Sequence, residues 1–96
     1  MKKELLVYPT IFEENHDDGD YFTVYSPNIP GMVTEGDTRE DAAEQAIDAI
    51  ATMLDGEEYP EPQDPKSWEL KDNESIIYIT VDMKQWYLEK EIHLTV

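Results

Sequence analysis

Residues 26–56 constrain the fold more than any other stretch, because a turn, a short strand and an amphipathic helix follow one another there without a break. Thr38 followed by Asp41 resembles a capping box, in which the threonine oxygen accepts from a backbone N–H of the first helical turn. Apolar residues then recur at three- and four-residue spacing, which predicts a helix that packs one face on a sheet. Gly56 suits the left-handed position just beyond a helix. The apolar stripe includes Ala46, Ile50, Met53 and Leu54.

Runs of β-forming residues lie on both sides of this helix. Asp18-Gly19 is a strong hairpin signal between the first two runs. The order predicts an α+β domain: a three-stranded antiparallel meander, one amphipathic helix, a further strand and a short C-terminal helix. The predicted strands are 4–13, 21–25, 32–35 and 75–82, and the short helix is 83–89.

Three details of the pattern predict how the strands are placed. Pro9 predicts that the first strand lies at an edge or breaks there, because proline cannot donate to a ladder. Segment 75–82 is apolar on both faces for much of its length, which predicts a strand inside the sheet and parallel to one neighbour. Segment 91–96 alternates again, which predicts a terminal strand beyond a main domain of residues 1–90. Because unpaired strands tend to find partners, we expect an oligomer contact there through Ile92, Leu94 and Val96.

The net charge of −16, from 23 acidic and 7 basic residues, is the sharpest fact of composition. Such a surface repels nucleic-acid phosphates and anionic membranes and favours a basic partner. A length of 96 residues predicts one domain. The chain has no cysteine, which excludes disulfides and thiolate metal sites. No apolar run approaches the ~18 residues of a membrane span, so we expect a cytoplasmic protein.

Candidate catalytic chemistry is scarce. His16 lies beside Asp17, Asp18 and Asp20, but the run is too short for a calcium-binding EF-hand loop and lacks its closing glutamate. A solvated hairpin turn explains these residues better. His93 has no nucleophile near it in the sequence, and there is no glycine-rich phosphate loop. The sequence therefore predicts no catalytic residue, no metal and no cofactor.

Several motifs, in their order and spacing, resemble the HicB family of antitoxins. The first is YPTIFE at residues 8–13, followed by an acidic turn and Tyr21-Phe22. The second is PNIPGMVTEGDTREDA at residues 27–42, which is similar to the turn and helix start of the family. Met32 departs from the pattern, since the family commonly has cysteine there. The resemblance continues through Pro60-Glu61-Pro62 and Val81-Asp82-Met83.

This resemblance implies a partial ribonuclease-H-like fold without nuclease activity. It implies that the protein binds and neutralises a small basic HicA-like toxin ribonuclease, and that it forms dimers or higher homo-oligomers. Most family members carry a C-terminal DNA-binding module, so we expect a stand-alone or truncated member that lacks it. The alternative is a non-catalytic, nucleic-acid-associated protein of the same fold, which the charge disfavours. A third reading, a metal-dependent enzyme using clustered carboxylates, has no defined ligand set.

Two acidic loops are the candidate partner-binding surface. Both are expected to project, and binding residues concentrate in loops. Tyr59 would supply an apolar anchor, and the carboxylates around it would steer a basic partner. The predicted contact residues are Asp17, Asp18 and Asp20 in the hairpin, and Glu57, Glu58, Tyr59 and Glu61 in the proline-rich loop.

Overall fold

A four-stranded antiparallel sheet with one long helix across a single face forms the body of the protein. The computed structural model describes the backbone of residues 5–95 and the side chains of residues 5–90. The predicted order β-β-β-α-β-α is confirmed. The elements are β1 (Leu5–Asn15), β2 (Tyr21–Tyr25), β3 (Val33–Gly36), α1 (Arg39–Leu54), β4 (Glu74–Asp82) and α2 (Met83–Thr95), with a 3-10 turn at Pro65–Ser67.

The strand order is β3-β2-β1-β4, so the first strand of the chain is interior. The β1–β2 hairpin pairs Ile11 with Tyr25, and the pairing continues to the turn. β1 also pairs along its length with β4, from Leu5 opposite Asp82 to Glu13 opposite Glu74. The second half of β1 thus has a strand on each side, whereas its first half pairs with β4 alone among the strands that the structure describes.

The core lies between the sheet and α1. Alternate residues of β1, namely Leu6, Tyr8 and Phe12, are buried on the face that meets the helix. Small residues of α1 let its backbone approach this face closely, as the alanine-rich stripe predicts. The prediction holds for Ala46, Ile50 and Leu54 but is wrong for Met53, which is 39% exposed because it lies at the margin of the stripe.

Local signals set both ends of α1. The Thr38 hydroxyl accepts from the Asp41 backbone N–H at 3.0 Å, and the Asp41 carboxylate accepts from the Asp37 N–H at 3.1 Å. This reciprocal arrangement is a capping box with aspartate in place of glutamate. Gly56 has a φ of +79° just after the helix, in the left-handed region that glycine adopts without strain.

The placement of β4 differs from the prediction. β4 lies at an edge of the sheet and runs antiparallel to β1, its one strand neighbour among residues 5–95. The long connection 55–73 allows this, because it carries the chain from the end of α1 to the far side of the sheet. Ile79 and Val81 are buried beneath the helix, whereas Tyr78 on the opposite face is 56% exposed. The double-sided apolar pattern therefore does not mean burial on both sides.

Pro9 lies in an interior strand, so the prediction of an edge strand is wrong for β1 as a whole. Proline is nevertheless placed where β1 needs no N–H for a ladder bond. At this position β1 has not yet met β2, because their pairing begins at Ile11. The Ser26 hydroxyl donates to the Pro9 carbonyl at 2.7 Å instead. The missing N–H of proline therefore costs no ladder bond here.

The predicted terminal strand 91–96 is wrong, because α2 continues to Thr95. The Asp82 carboxylate accepts from the Gln85 backbone N–H at 3.1 Å and caps the start of this helix. Once nucleated, a helix propagates at little cost through residues such as Glu89 and Lys90. Val96 and the side chains of Ile92 and Leu94 lie outside the described residues.

Candidate protein-binding surfaces

The acidic hairpin lies against the start of α1 and forms one open pocket of about 430 Å³ with it. Gly19, with a φ of +89°, closes the hairpin turn, and Gly36 forms the corner between β3 and the helix. A side chain at Gly36 would meet the backbone of Ala42, so glycine permits the close approach. The lining residues are Asp18, Asp20, Tyr21, Glu35, Gly36, Asp37 and Asp41.

We call this carboxylate-lined pocket the hairpin pocket. Its lining includes five acids and no lysine or arginine. Asp18 and Asp20 were predicted from the turn, whereas Glu35, Asp37 and Asp41 were not. The sequence signal for Asp41 was its capping role, and the chain brings it to the hairpin only by folding. Asp17 lies in the same turn and is exposed.

His16 is held by acids of the same hairpin. Its Nδ1 lies 2.7 Å from an Asp20 oxygen, and its Nε2 lies 3.3 Å from an oxygen of Glu14. The hydrogen bond to Asp20 is the main reason that the pKa of His16 is raised. Within the residues that the structure describes, no group of three histidine or acidic side chains is arranged to hold a metal ion.

The proline-rich loop is tied to the body by buried polar groups. The Asn28 side chain donates to the Glu61 carbonyl at 3.1 Å and accepts from the Gln63 backbone N–H at 2.7 Å. The Tyr8 hydroxyl donates to the Pro60 carbonyl at 2.8 Å. Asn28 is only 3% exposed, so both of its bonds are made where water has little access. These three bonds fix the path of the loop.

The acids of this loop lie on its outer side. Glu57, Glu58 and Glu61 are exposed, whereas Tyr59 is half-buried and packs against the core. Burial raises the pKa of Tyr8 beneath the loop, and the negative charge of Glu61 adds to the effect. Tyr59 thus offers a partner only part of its ring, less than a projecting anchor would.

The two acidic regions lie at opposite ends of α1. The hairpin pocket adjoins its first turn, whereas Glu57 and Glu58 follow its last turn. The 16 residues of the helix span about 24 Å at 1.5 Å per residue. The predicted contact residues therefore lie on two separate surfaces of the protein.

A third surface, not found from the sequence, lies where α2 meets α1. The Trp86 indole N–H donates to Asp48 at 3.0 Å, and the Lys90 ammonium lies 5.0 Å from the centre of the Trp86 ring. The Tyr87 hydroxyl donates to Asp55 at 2.9 Å, a bond that raises the pKa of Tyr87 to about 12. This surface carries both signs of charge and serves to hold α2 in place.

Across the described chain, neither helix combines the length and the apolar character that crossing a bilayer requires. Fold and surface together define a small, strongly acidic α+β domain whose prominent exposed features are carboxylate clusters.

Comparison with known proteins assigns the domain to a family. The profile described as HicB-like antitoxin of bacterial toxin-antitoxin system matches residues 8–93, and the chain belongs to that family. A 60-residue segment is 42% identical to Antitoxin HicB 1 of Photorhabdus laumondii. That match takes in 57% of this chain but only 37% of the relative, so the chain spans well under half of that protein.

Two solved structures share the fold. A chain of a toxin–antitoxin complex from Streptococcus pneumoniae superposes with a TM-score of 0.73 at 23% identity, covering 85% of this chain and 72% of that one. A chain of the HicA3 and HicB3 toxin–antitoxin complex superposes with a TM-score of 0.59 at 24% identity, covering 80% of this chain and 99% of that one. At these identities the likeness supports the fold alone.

Proposed function

We propose that this protein is an antitoxin that binds a small basic toxin ribonuclease of the HicA kind and neutralises it. The observation that carries the proposal is the hairpin pocket, a concentration of carboxylates on a member of an antitoxin family. A ribonuclease must present cationic side chains to bind RNA phosphates, so an acidic surface competes for the same groups. Neutralisation of this kind works by occupancy in the cytoplasm and requires no catalytic residue of the antitoxin.

The hairpin pocket suits this role better than the proline-rich loop does. Its acids come from the hairpin, β3 and the start of α1, so one cationic side chain in the pocket would be attracted by several of them at once. The loop presents Glu57, Glu58 and Glu61 along one stretch of chain. Potentials of one sign focused in a concave site attract counter-charges more strongly than scattered surface charges do.

Two matched triple variants test this assignment. One replaces Asp17, Asp18 and Asp20 with asparagine, and the other replaces Glu57, Glu58 and Glu61 with glutamine. Each removes three negative charges from exposed positions, so the change in net charge is the same. Stopped-flow association and calorimetric titration with the basic toxin at two salt concentrations measure the effect.

We expect the hairpin variant to slow association at low salt by roughly 10-fold or more, within the range of electrostatic steering. The loop variant should change it far less. Equal rates for both variants and the wild type would place the toxin elsewhere on the surface. Tight binding of RNA by the wild-type protein alone, or no binding of the toxin, would overturn the proposed function and favour the nucleic-acid alternative.

A further inference from the structure

Among residues 5–95, the outer edge of β4 is the longer of the two sheet edges that no strand pairs with. β4 is a nine-residue strand, and among residues 5–95 only β1 pairs with it. In an antiparallel ladder, successive residues direct their backbone groups to opposite sides. The Thr10 hydroxyl of β1 donates to the Ile77 carbonyl at 2.7 Å, so the Ile77 carbonyl faces β1. By this alternation, Ile76, Tyr78 and Thr80 direct their N–H and C=O groups outward.

The usual protections of an edge strand are absent from the middle of β4. Natural edges are blunted by charged side chains, by proline, by bulges or by short length. The seven residues SIIYITV between Glu74 and Asp82 carry no charge and no proline. Their pairing with β1 is continuous, without a bulge. Tyr78 is 56% exposed beside this open edge.

The side chains next to the middle of this edge are also apolar. On the open face of the sheet, Val7 of β1 is 41% exposed and lies opposite Thr80. Charges lie toward the end of the edge, where Leu5, 59% exposed, lies opposite Asp82 and lines a pocket with Glu61. A basic toxin gains little from such a surface and much from the carboxylates elsewhere. By contrast, a second copy of this chain, with its net charge of −16, meets less repulsion at an uncharged surface than at the carboxylate clusters.

We propose that two copies of this chain associate through β4, which pairs antiparallel with β4 of the second copy to form one eight-stranded sheet. A strand that pairs antiparallel with itself is self-complementary, as a two-fold interface requires. With the axis exactly at Tyr78, Glu74 of one copy would face Asp82 of the other. A shift of the axis to Ile79 places Asp82 opposite Ile76 and keeps Ile76, Tyr78 and Thr80 within the pairing.

The helical backbone of α2 rules out strand pairing at 91–95, so this inference gives the expected oligomer contact a different strand. It does not depend on the proposed function, because the isolated protein should self-associate without any toxin. Salt separates the two interactions. Raising the salt concentration screens repulsion between two acidic copies and should tighten the dimer, whereas it should weaken the binding of a basic partner.

The test compares Tyr78→Lys on β4 with Val33→Lys on β3, at the opposite edge of the sheet. Both positions are exposed, at 56% and 63%, and both changes add one positive charge. A positive charge lowers the repulsion between acidic chains, so loss of association in Tyr78→Lys cannot arise from net charge. Sedimentation equilibrium and amide hydrogen exchange, each at two salt concentrations, provide the measurements.

We expect the wild type and Val33→Lys to dimerise alike, and Tyr78→Lys to raise the dimer dissociation constant at least 10-fold. The outward amides of Ile76, Tyr78 and Thr80 should exchange more slowly as protein concentration rises in the wild type. A wild type that stays monomeric at tens of micromolar and moderate salt overturns the inference. So does a dimer that both variants leave intact, or that both weaken equally, since the contact would then lie elsewhere.

Discussion

Asn28 connects the turn after β2 to the proline-rich loop, and its replacement by alanine removes both side-chain bonds to Glu61 and Gln63. Each such hydrogen bond contributes about 1 kcal/mol net, and buried groups left without partners cost more. Glu61 and Gln63 are themselves exposed, so water can reach part of what is freed. We therefore expect Asn28→Ala to lower the free energy of unfolding by about 2 kcal/mol, a large share of the 5–15 kcal/mol typical of small domains.

Asn28→Asp gives a sharper version of the same experiment. The aspartate keeps the oxygen that accepts from the Gln63 N–H, but it places a second oxygen opposite the Glu61 carbonyl. At neutral pH this variant should be less stable than Asn28→Ala, because a buried charge then faces a carbonyl dipole. At acidic pH the protonated carboxyl can donate to that carbonyl, so part of the loss relative to the wild type should be recovered.

Urea unfolding measures the free energy in both variants, and hydrogen exchange reports on the Gln63 amide. Tyr8→Phe is the matched control, because it removes only the bond to Pro60 and leaves both Asn28 bonds in place. A loss below about 0.5 kcal/mol in Asn28→Ala, the size of an ordinary surface substitution, would refute the reasoning. Unchanged exchange at Gln63 would refute it too, since the loop would then be held by something other than Asn28.

Two further substitutions test other parts of the fold. Gly36→Ala places a Cβ against the Ala42 backbone nitrogen, so we expect thermal unfolding to show a loss of about 1–3 kcal/mol. In Gly19→Ala the Cβ meets open space but φ is +89°, so this variant should show only the cost of backbone strain. Glu74 accepts from the Lys71 N–H and the Tyr25 hydroxyl, both at 2.8 Å, and these bonds lower its pKa. The stability that Glu74 contributes is fully present above the pKa that glutamate has in the unfolded chain, and it is lost as the pH falls through the lowered pKa of the folded state. Glu74→Gln should therefore make the free energy of unfolding fall less steeply with decreasing pH. A pH dependence parallel to that of the wild type would contradict this.

The elements that the sequence predicts well are those with local causes. Thr38 and Asp41 determine where α1 begins through hydrogen bonds to residues a few positions away. Gly56 determines where it ends through its left-handed backbone conformation. The position of β4 has no such signal, because its place beside β1 depends on the course of a long connection. The alternation in 91–96 is overridden by a helix that Asp82 starts well before it.

The same distinction applies to the candidate site. Asp18 and Asp20 were predicted because the Asp-Gly turn is visible in the sequence. Glu35 and Asp37 join them only because β3 pairs with β2 and the corner at Gly36 turns the chain toward the hairpin. The separation of the hairpin from the proline-rich loop by the length of α1 follows from the three-dimensional fold, and spacing along the chain does not indicate it.

The pairing of β1 with β4 has a consequence for the order of events during folding. Leu5 lies opposite Asp82, so the two strands that make this ladder come from nearly opposite ends of the described chain. Contacts so distant in sequence require closure of a large loop, so we expect them to form after the hairpin and α1. Because the pairing with β2 begins at Ile11, the first half of β1 has no strand partner besides β4 within residues 5–95. A nascent chain therefore cannot complete its sheet until residue 82 has left the ribosome.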